Sequence, residues 1–225
     1  MLAAGHPSSP VGGQALERLC RTYWYPLYAH VRRRGYTTQE AQDLTQEFFA
    51  RLLAKHWLNM ADSRRGRFRS FLLAALNHFL ANEWHRARSE KRGGGRTHLP
   101  FDTVAAERLY LLEPGQGLNA EEVYERNWAL RFLEHVRTEL REEYATAGQA
   151  ERFELLESFL PGQERSLSYA EAAARLGTPE GTLKSDVHRL KQRYGQLLRD
   201  EIAHTVANPK EIEDELRHLM AVLAR

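Results

Sequence analysis

Between residues 165 and 193 the chain carries start and stop signals for two short helices, spaced so closely that few arrangements accept both. Ser168 with Glu171 three residues later spells a capping box, in which each residue satisfies a free backbone N–H of the other's end of the turn. Gly177 follows the last apolar residue and suits a left-handed helix end. Thr178 is expected to cap a second helix opening on Pro179, where a missing N–H costs nothing. In that second helix Leu183, Val187, Leu190 and Tyr194 recur at helical spacing. Lys184, Ser185, His188, Arg189, Lys191 and Arg193 take the remaining positions. One face is fit to pack inward, and the other offers cations and donors of the kind that enter a DNA major groove. A plain helical hairpin with a solvated basic face would share the caps. The short turn and the basic second helix together favour helix-turn-helix.

Nothing else in the 225 residues competes with a helical reading. Alternating strand-like runs are few, and 42% hydrophobic content suffices for packed cores. No apolar run reaches membrane-spanning length, and the first thirteen residues lack the charged start and apolar core of a signal peptide. Cys20 is alone, so an intramolecular disulfide and a thiolate zinc cluster are both excluded. A soluble cytoplasmic protein without a membrane partner is expected.

The net charge of +2 hides an asymmetry. Residues 18–96 hold 16 Lys/Arg against 6 Asp/Glu, a balance of +10. Residues 107–157 hold 6 against 12, or −6, and residues 158–225 hold 10 against 10 when Glu164 is grouped with them. The basic block points to a polyanionic partner.

Periodicity and punctuation predict an all-α chain of two small helical domains. The first covers 12–95, with helices over 15–34 (broken or kinked at Pro26), from Thr37 to near Trp57, and 68–88. Thr37 with Glu40 repeats the capping box, and Gly35 ends the helix before it. A flexible linker is expected over 96–118, introduced by Gly93-Gly94-Gly95. The second domain, 119–205, starts at an Asn119 cap and contains the helix-turn-helix. A C-terminal extension, 206–225, bears an apolar stripe of Ile212, Leu216, Leu219 and Leu223, expected to cover the second domain, with autoinhibition or regulator docking as the alternative.

In the first domain Arg64, Arg65, Arg67 and Arg69 stand beside Phe68 and Phe71, with Asn77, His78, Trp84 and His85 beyond. Cations that track phosphates next to rings and amides that hold unstacked bases suit opened nucleic acid. Phe71 itself fits the apolar stripe and reads as core. The helix end adds Arg86, Arg88, Lys91 and Arg92. Catalytic patterns are missing: there is no His-Glu-x-x-His, phosphate-binding Gly-x-x-x-x-Gly-Lys or Gly-x-Ser-x-Gly. His78 and His85 stand two turns apart, too far to share an ion without a third ligand. No enzyme activity, cofactor or metal is expected.

With both basic helical units in this order, the chain resembles the bacterial RNA polymerase sigma factors, and within them the compact extracytoplasmic-function group. Tyr25-Pro26-Leu27-Tyr28 through Asp43-Leu44-Thr45-Gln46-Glu47-Phe48-Phe49 is similar to the start of that family's region two, residues 68–92 to its remainder, and 167–193 to region four. The resemblance implies binding to core RNA polymerase through Glu40, Asp43, Gln46, Glu47 and Phe48. It implies capture of a flipped base of the minus-ten promoter element by residues 59–67 and Asn77, with Arg86, Arg88, Lys91 and Arg92 on phosphates. Lys184, Arg189 and Arg193 would lead in reading the minus-thirty-five element. Relatives often read Asp-Ala-Glu-Asp where this chain has Glu40-Ala41-Gln42-Asp43, and Asp where Ala81 stands. The thinned acidic patch suggests that phosphorylation of Thr37, Thr38 or Thr45 restores charge, so an anti-sigma or kinase regulator is a further partner to expect. The alternative is a helix-turn-helix regulator that binds duplex DNA without joining the polymerase.

Overall fold

The computed structural model describes residues 10–54, 67–89, 102–112, 117–164 and 166–224, with side chains placed from Thr22 onward except at 53–54 and 85–89. Every regular element among the described residues is helical, so the protein is all-α. The helices are α1 (Pro10–Arg33), α2 (Thr38–Ala54), α3 (Phe68–Ser89), α4 (Thr103–Leu112), α5 (Ala120–Thr146), α6 (Ala150–Leu156), α7 (Tyr169–Leu176), α8 (Glu180–Ala203) and α9 (Ile212–Leu223). Short 3-10 turns follow α6 and precede α9. None of the described helices is long and apolar enough to cross a membrane.

Local signals set most of these boundaries. Thr37 and Glu40 form the expected capping box, with Thr37 N–H donating to Glu40 Oε2 at 2.9 Å and Glu40 N–H to Thr37 Oγ1 at 3.3 Å. Asn119 Oδ1 accepts from the N–H groups of Glu121 and Glu122 at 2.9 Å each, which starts α5. Pro26 lies inside α1 without ending it. The helix continues through it because Tyr23, Leu27, Tyr28 and Val31 on both sides are buried, and that packing outweighs one lost backbone hydrogen bond.

The chain forms two compact units, and their limits are not those the sequence suggested. One unit comprises residues 1–132 together with 203–225; the other is Leu133–Ile202. The division falls inside α5, between Phe132 and Leu133, rather than at residue 119.

In the first unit α1, α2 and α3 bury Leu27, Tyr28, Phe48, Phe49, Leu52, Leu72 and Leu76 completely, joined by Tyr124 and Trp128 from the start of α5. Two segments depart from expectation here. The stretch 96–118, read as a linker, contains α4, which Glu107 ties down. Its carboxylate accepts from Arg32 Nε at 3.0 Å and Nη2 at 2.9 Å, from Thr38 Oγ1 at 3.1 Å, and from the Tyr28 hydroxyl. Burial works to raise the Glu107 carboxyl, but these donors outweigh it and hold it below its ordinary value.

The C-terminal helix is the second departure. Instead of covering the helix-turn-helix, α9 belongs to the first unit. Glu215, 1% exposed, accepts from Arg69 Nε at 2.6 Å and pairs with Arg67 Nε at 2.8 Å. Arg69 also pairs with Glu125 and lies over the Trp128 ring, its guanidinium carbon 5.0 Å from the centroid. His218 Nε2 stands 2.9 Å from the other Glu125 oxygen. Leu219 and Val222 are buried, so the inward face runs through Glu215, Leu219 and Val222. It is rotated from the expected apolar stripe so that Glu215, at its start, meets Arg67 and Arg69.

The second unit contains the end of α5, then α6, α7 and α8. Val136, Leu140, Phe153, Leu156, Leu183 and Leu190 are its fully buried apolar side chains along with Ala172 and Ile202. Phe159 stacks on Tyr169 at 4.7 Å, fixing the entry to α7.

Candidate nucleic-acid interface

The turn between α7 and α8 is built as its residues dictate. Ser168 and Glu171 complete both halves of the capping box. Gly177 takes φ +62°, its N–H reaches Ala174 O at 3.2 Å, and Thr178 N–H reaches Ala173 O at 3.0 Å. That pair of bonds is the Schellman motif, which stops a helix and redirects the chain. Thr178 does not cap α8 as expected. Its Oγ1 is buried without a hydrogen-bond partner, and α8 begins as Leu183 N–H donates to Pro179 O at 3.1 Å.

Along α8 the inward face is Leu183, Asp186, Val187, Leu190, Tyr194 and Leu197. Lys184, Ser185, His188, Arg189 and Lys191 are all exposed, and Arg193 is half-exposed. Positions 181, 184, 185, 188 and 191 repeat at three- and four-residue steps, so they share one side of the helix. Gly181 and Thr182 are exposed at its start, where a small residue allows close approach to a ligand. The cations differ in commitment. Lys184 pairs with Glu180 one turn back at 2.7 Å, and Arg193 Nε donates to Glu143 at 2.9 Å. Pairs this exposed are weakly held and exchange readily for phosphate.

Asp186 is the residue of α8 that sequence reasoning passed over. It is 6% exposed, accepts from Arg189 Nη2 at 2.5 Å and from Arg152 of α6, and so holds the Arg189 guanidinium against the unit. Burial works to raise its carboxyl, but the two guanidinium donors outweigh burial and hold it below the ordinary value. A depressed folded-state value contributes stability that is fully present above the unfolded value of about 3.9 and is lost as pH falls through the folded one. Asp186→Asn should therefore cost about 1 kcal/mol at pH 7, a low figure because Arg189 is largely solvent-screened. The cost should be smaller at pH 3 than at pH 7, because the unfolded carboxyl is by then mostly protonated. Urea unfolding at the two pH values measures it, and an equal cost at both would refute the pairing.

In the first unit, Arg67 and Asn77 are the residues of the predicted site whose side chains are described. Arg64, Arg65, Lys91 and Arg92 lie outside the described residues, as does Gly93-Gly94-Gly95, and Arg86 and Arg88 are placed only as backbone of α3. Arg67 is described, paired with Glu215. Asn77 is half-buried, and its Oδ1 faces His30 Nε2 at 3.0 Å and accepts from Arg34 Nη1 at 2.7 Å. The neighbouring surface is an open cleft of about 580 Å³ lined by Arg34, Gly35, Tyr36, Glu40, Leu80, Ala81 and Trp84, with Trp84 half-exposed.

On α2 the residues assigned to polymerase docking separate into two groups. Asp43, Gln46 and Glu47 are half-exposed and Glu40 is exposed, with Glu40 held by Thr37 and Glu47 by Arg51 at 2.8 Å. Phe48 is fully buried, packed against Phe49 and Phe79 at 5.9 and 5.7 Å. It supports the helix from inside and presents no surface to a partner. Thr45 is likewise fully buried, and Thr38 donates to Glu107, which leaves Thr37 as the exposed threonine of the three.

Comparison with protein-family models, with curated proteins and with solved structures found no match. Residue chemistry and geometry therefore carry the functional reading.

Proposed function

We propose that the protein is a sigma factor of the extracytoplasmic-function kind, which joins core RNA polymerase and directs it to promoters. The observation that carries this reading is the α7–α8 element, a capped and glycine-turned helix pair whose second helix displays Lys184, Ser185, His188, Arg189 and Lys191 along one exposed side. That side suits the major groove of the minus-thirty-five element, with phosphate contacts supplying most of the affinity. The half-exposed acidic and amide residues of α2, Asp43, Gln46 and Glu47, support the polymerase contact. Asn77 and the arginines around α3 would hold the opened minus-ten strand. The protein would do no chemistry itself; base capture offsets the cost of opening the duplex.

One observation favours the second reading, a regulator that binds duplex DNA through α8 alone. Asn77 and Arg67 are both engaged internally, so strand capture requires them to exchange partners.

In-vitro transcription with the full chain, bacterial core polymerase and a randomised promoter library separates the two. Promoter-specific transcripts that depend on the chain are expected. Lys191→Ala should weaken binding across all sequences and reduce the salt slope by about 1, as loss of one phosphate contact requires. DNA binding without polymerase association, and unaffected by substitution of Asp43 and Glu47, would overturn the sigma-factor reading in favour of the regulator.

A further inference from the structure

We propose that His135, Glu139 and Glu201 form a binding site for a divalent transition-metal ion, Zn²⁺ in particular, within the unit Leu133–Ile202. His135 and Glu139 stand one turn apart on α5, and Glu201 comes from the last turn of α8. His135 Nε2 lies 3.5 Å from Glu139 Oε1 and 3.7 Å from Glu201 Oε2, and the three ligand atoms are all within 4.8 Å of one another.

These separations are longer than those of a close charge-assisted hydrogen bond. A protonated imidazole bonded to carboxylates closes to about 2.7–2.9 Å, and neither carboxylate approaches so near. Ligand atoms bound at about 2.0–2.2 Å to one tetrahedral ion stand about 3.3–3.6 Å apart. The 3.5 Å separation falls in that range, the 3.7 Å separation lies just beyond it, and all three atoms stay within 4.8 Å. His135 supplies an independent sign. Its Nε2 atom is buried without a hydrogen-bond partner, on a ring whose side chain is 14% exposed, and it points at both carboxylates. A buried ring nitrogen left without a hydrogen-bond partner in that position is open to a metal ion.

The donor set selects the ion. As metal ligands, an imidazole and two carboxylates bring two negative charges to a divalent cation. Mg²⁺ and Ca²⁺ take oxygen ligands in larger number, whereas imidazole favours Zn²⁺ and its transition-metal neighbours. Three protein ligands leave a fourth position for water. Bound there, the ion would clip the end of α8 to α5 inside one unit, and the clip does not depend on what α8 reads.

The test uses the untagged full-length chain, stripped with chelator and titrated with zinc sulfate by calorimetry. One tight equivalent is expected, with a dissociation constant below about 10 µM, and the thermal midpoint should rise by about 2–4 °C at saturating zinc. His135→Ala should weaken that equivalent at least about tenfold and abolish the thermal shift, and magnesium should do neither. Glu201→Gln, which preserves size and hydrogen-bonding capacity, should also weaken it, so a folding defect in one variant leaves the other to decide. No zinc binding at all, or zinc binding unchanged in both variants, would overturn the proposal; the latter would place the ion among the other histidines.

Discussion

Replacing Glu215 with alanine is expected to destabilise the unit formed by residues 1–132 and 203–225 by about 3–5 kcal/mol, the scale for removing one partner from a buried ion pair. The Glu215 side chain is 1% exposed and the Arg69 side chain 5% exposed, so neither charge has bulk water to fall back on. Glu125 and the Trp128 face remain for Arg69, but its Nε donor loses its acceptor and Arg67 loses its partner. Leaving a buried charged donor unsatisfied costs more than the intact pair contributes. Arg69→Met combined with Glu215→Leu should therefore recover most of the loss, because both desolvated charges disappear together. Urea unfolding followed by tryptophan fluorescence reports the unit that contains Trp24, Trp84 and Trp128. A loss below about 1 kcal/mol for the single variant would mean that the pair is solvated and that α9 is held by its apolar contacts alone.

That network also marks where the sequence stops being informative. Features decided within a few residues were readable: the Ser168 and Thr37 boxes, the Asn119 cap, the Gly177 turn and the alternation of buried and exposed positions along α8. Each rests on hydrogen bonds or periodicity inside one turn of helix. Features decided by a distant partner were not. Glu215 reaches Arg69 across 146 residues, and an apolar stripe at 212–223 says only that something must cover it. Glu107 looked like one more residue of a mixed-composition stretch until Tyr28, Arg32 and Thr38 converged on it from 69 to 79 positions away. Phe48 carried a family-derived role as a contact residue, yet its spacing with Ala41, Leu44 and Leu52 already placed it on an inward face. Nothing in the sequence sets His135 and Glu139 apart from other pairs one helical turn apart, and Glu201 joins them only once α8 has folded back beside α5 within the unit.

Trp128→Ala should cost about 3–5 kcal/mol, as deletion of a fully buried aromatic side chain does. The ring is completely buried, 5.7 Å from Phe132 and 6.4 Å from His218, with the Arg69 guanidinium over its face. Alanine leaves a cavity that these neighbours cannot close, because Arg69 is anchored by Glu125 and Glu215. It also removes a desolvated cation–π contact, of the kind worth about 2 kcal/mol where water is excluded. Trp128→Phe retains a ring and most of the volume and should cost less than half as much. The loss should be local. Trp128 lies one turn before the division at Phe132, and Leu140, Leu183 and Leu190 belong to a core of their own beyond it. Hydrogen exchange resolves the two: protection should fall in peptides from α1, α3 and α9 and hold in 183–197 of α8. Equal loss in both sets would show that the continuous α5 transmits the damage and that the units unfold as one.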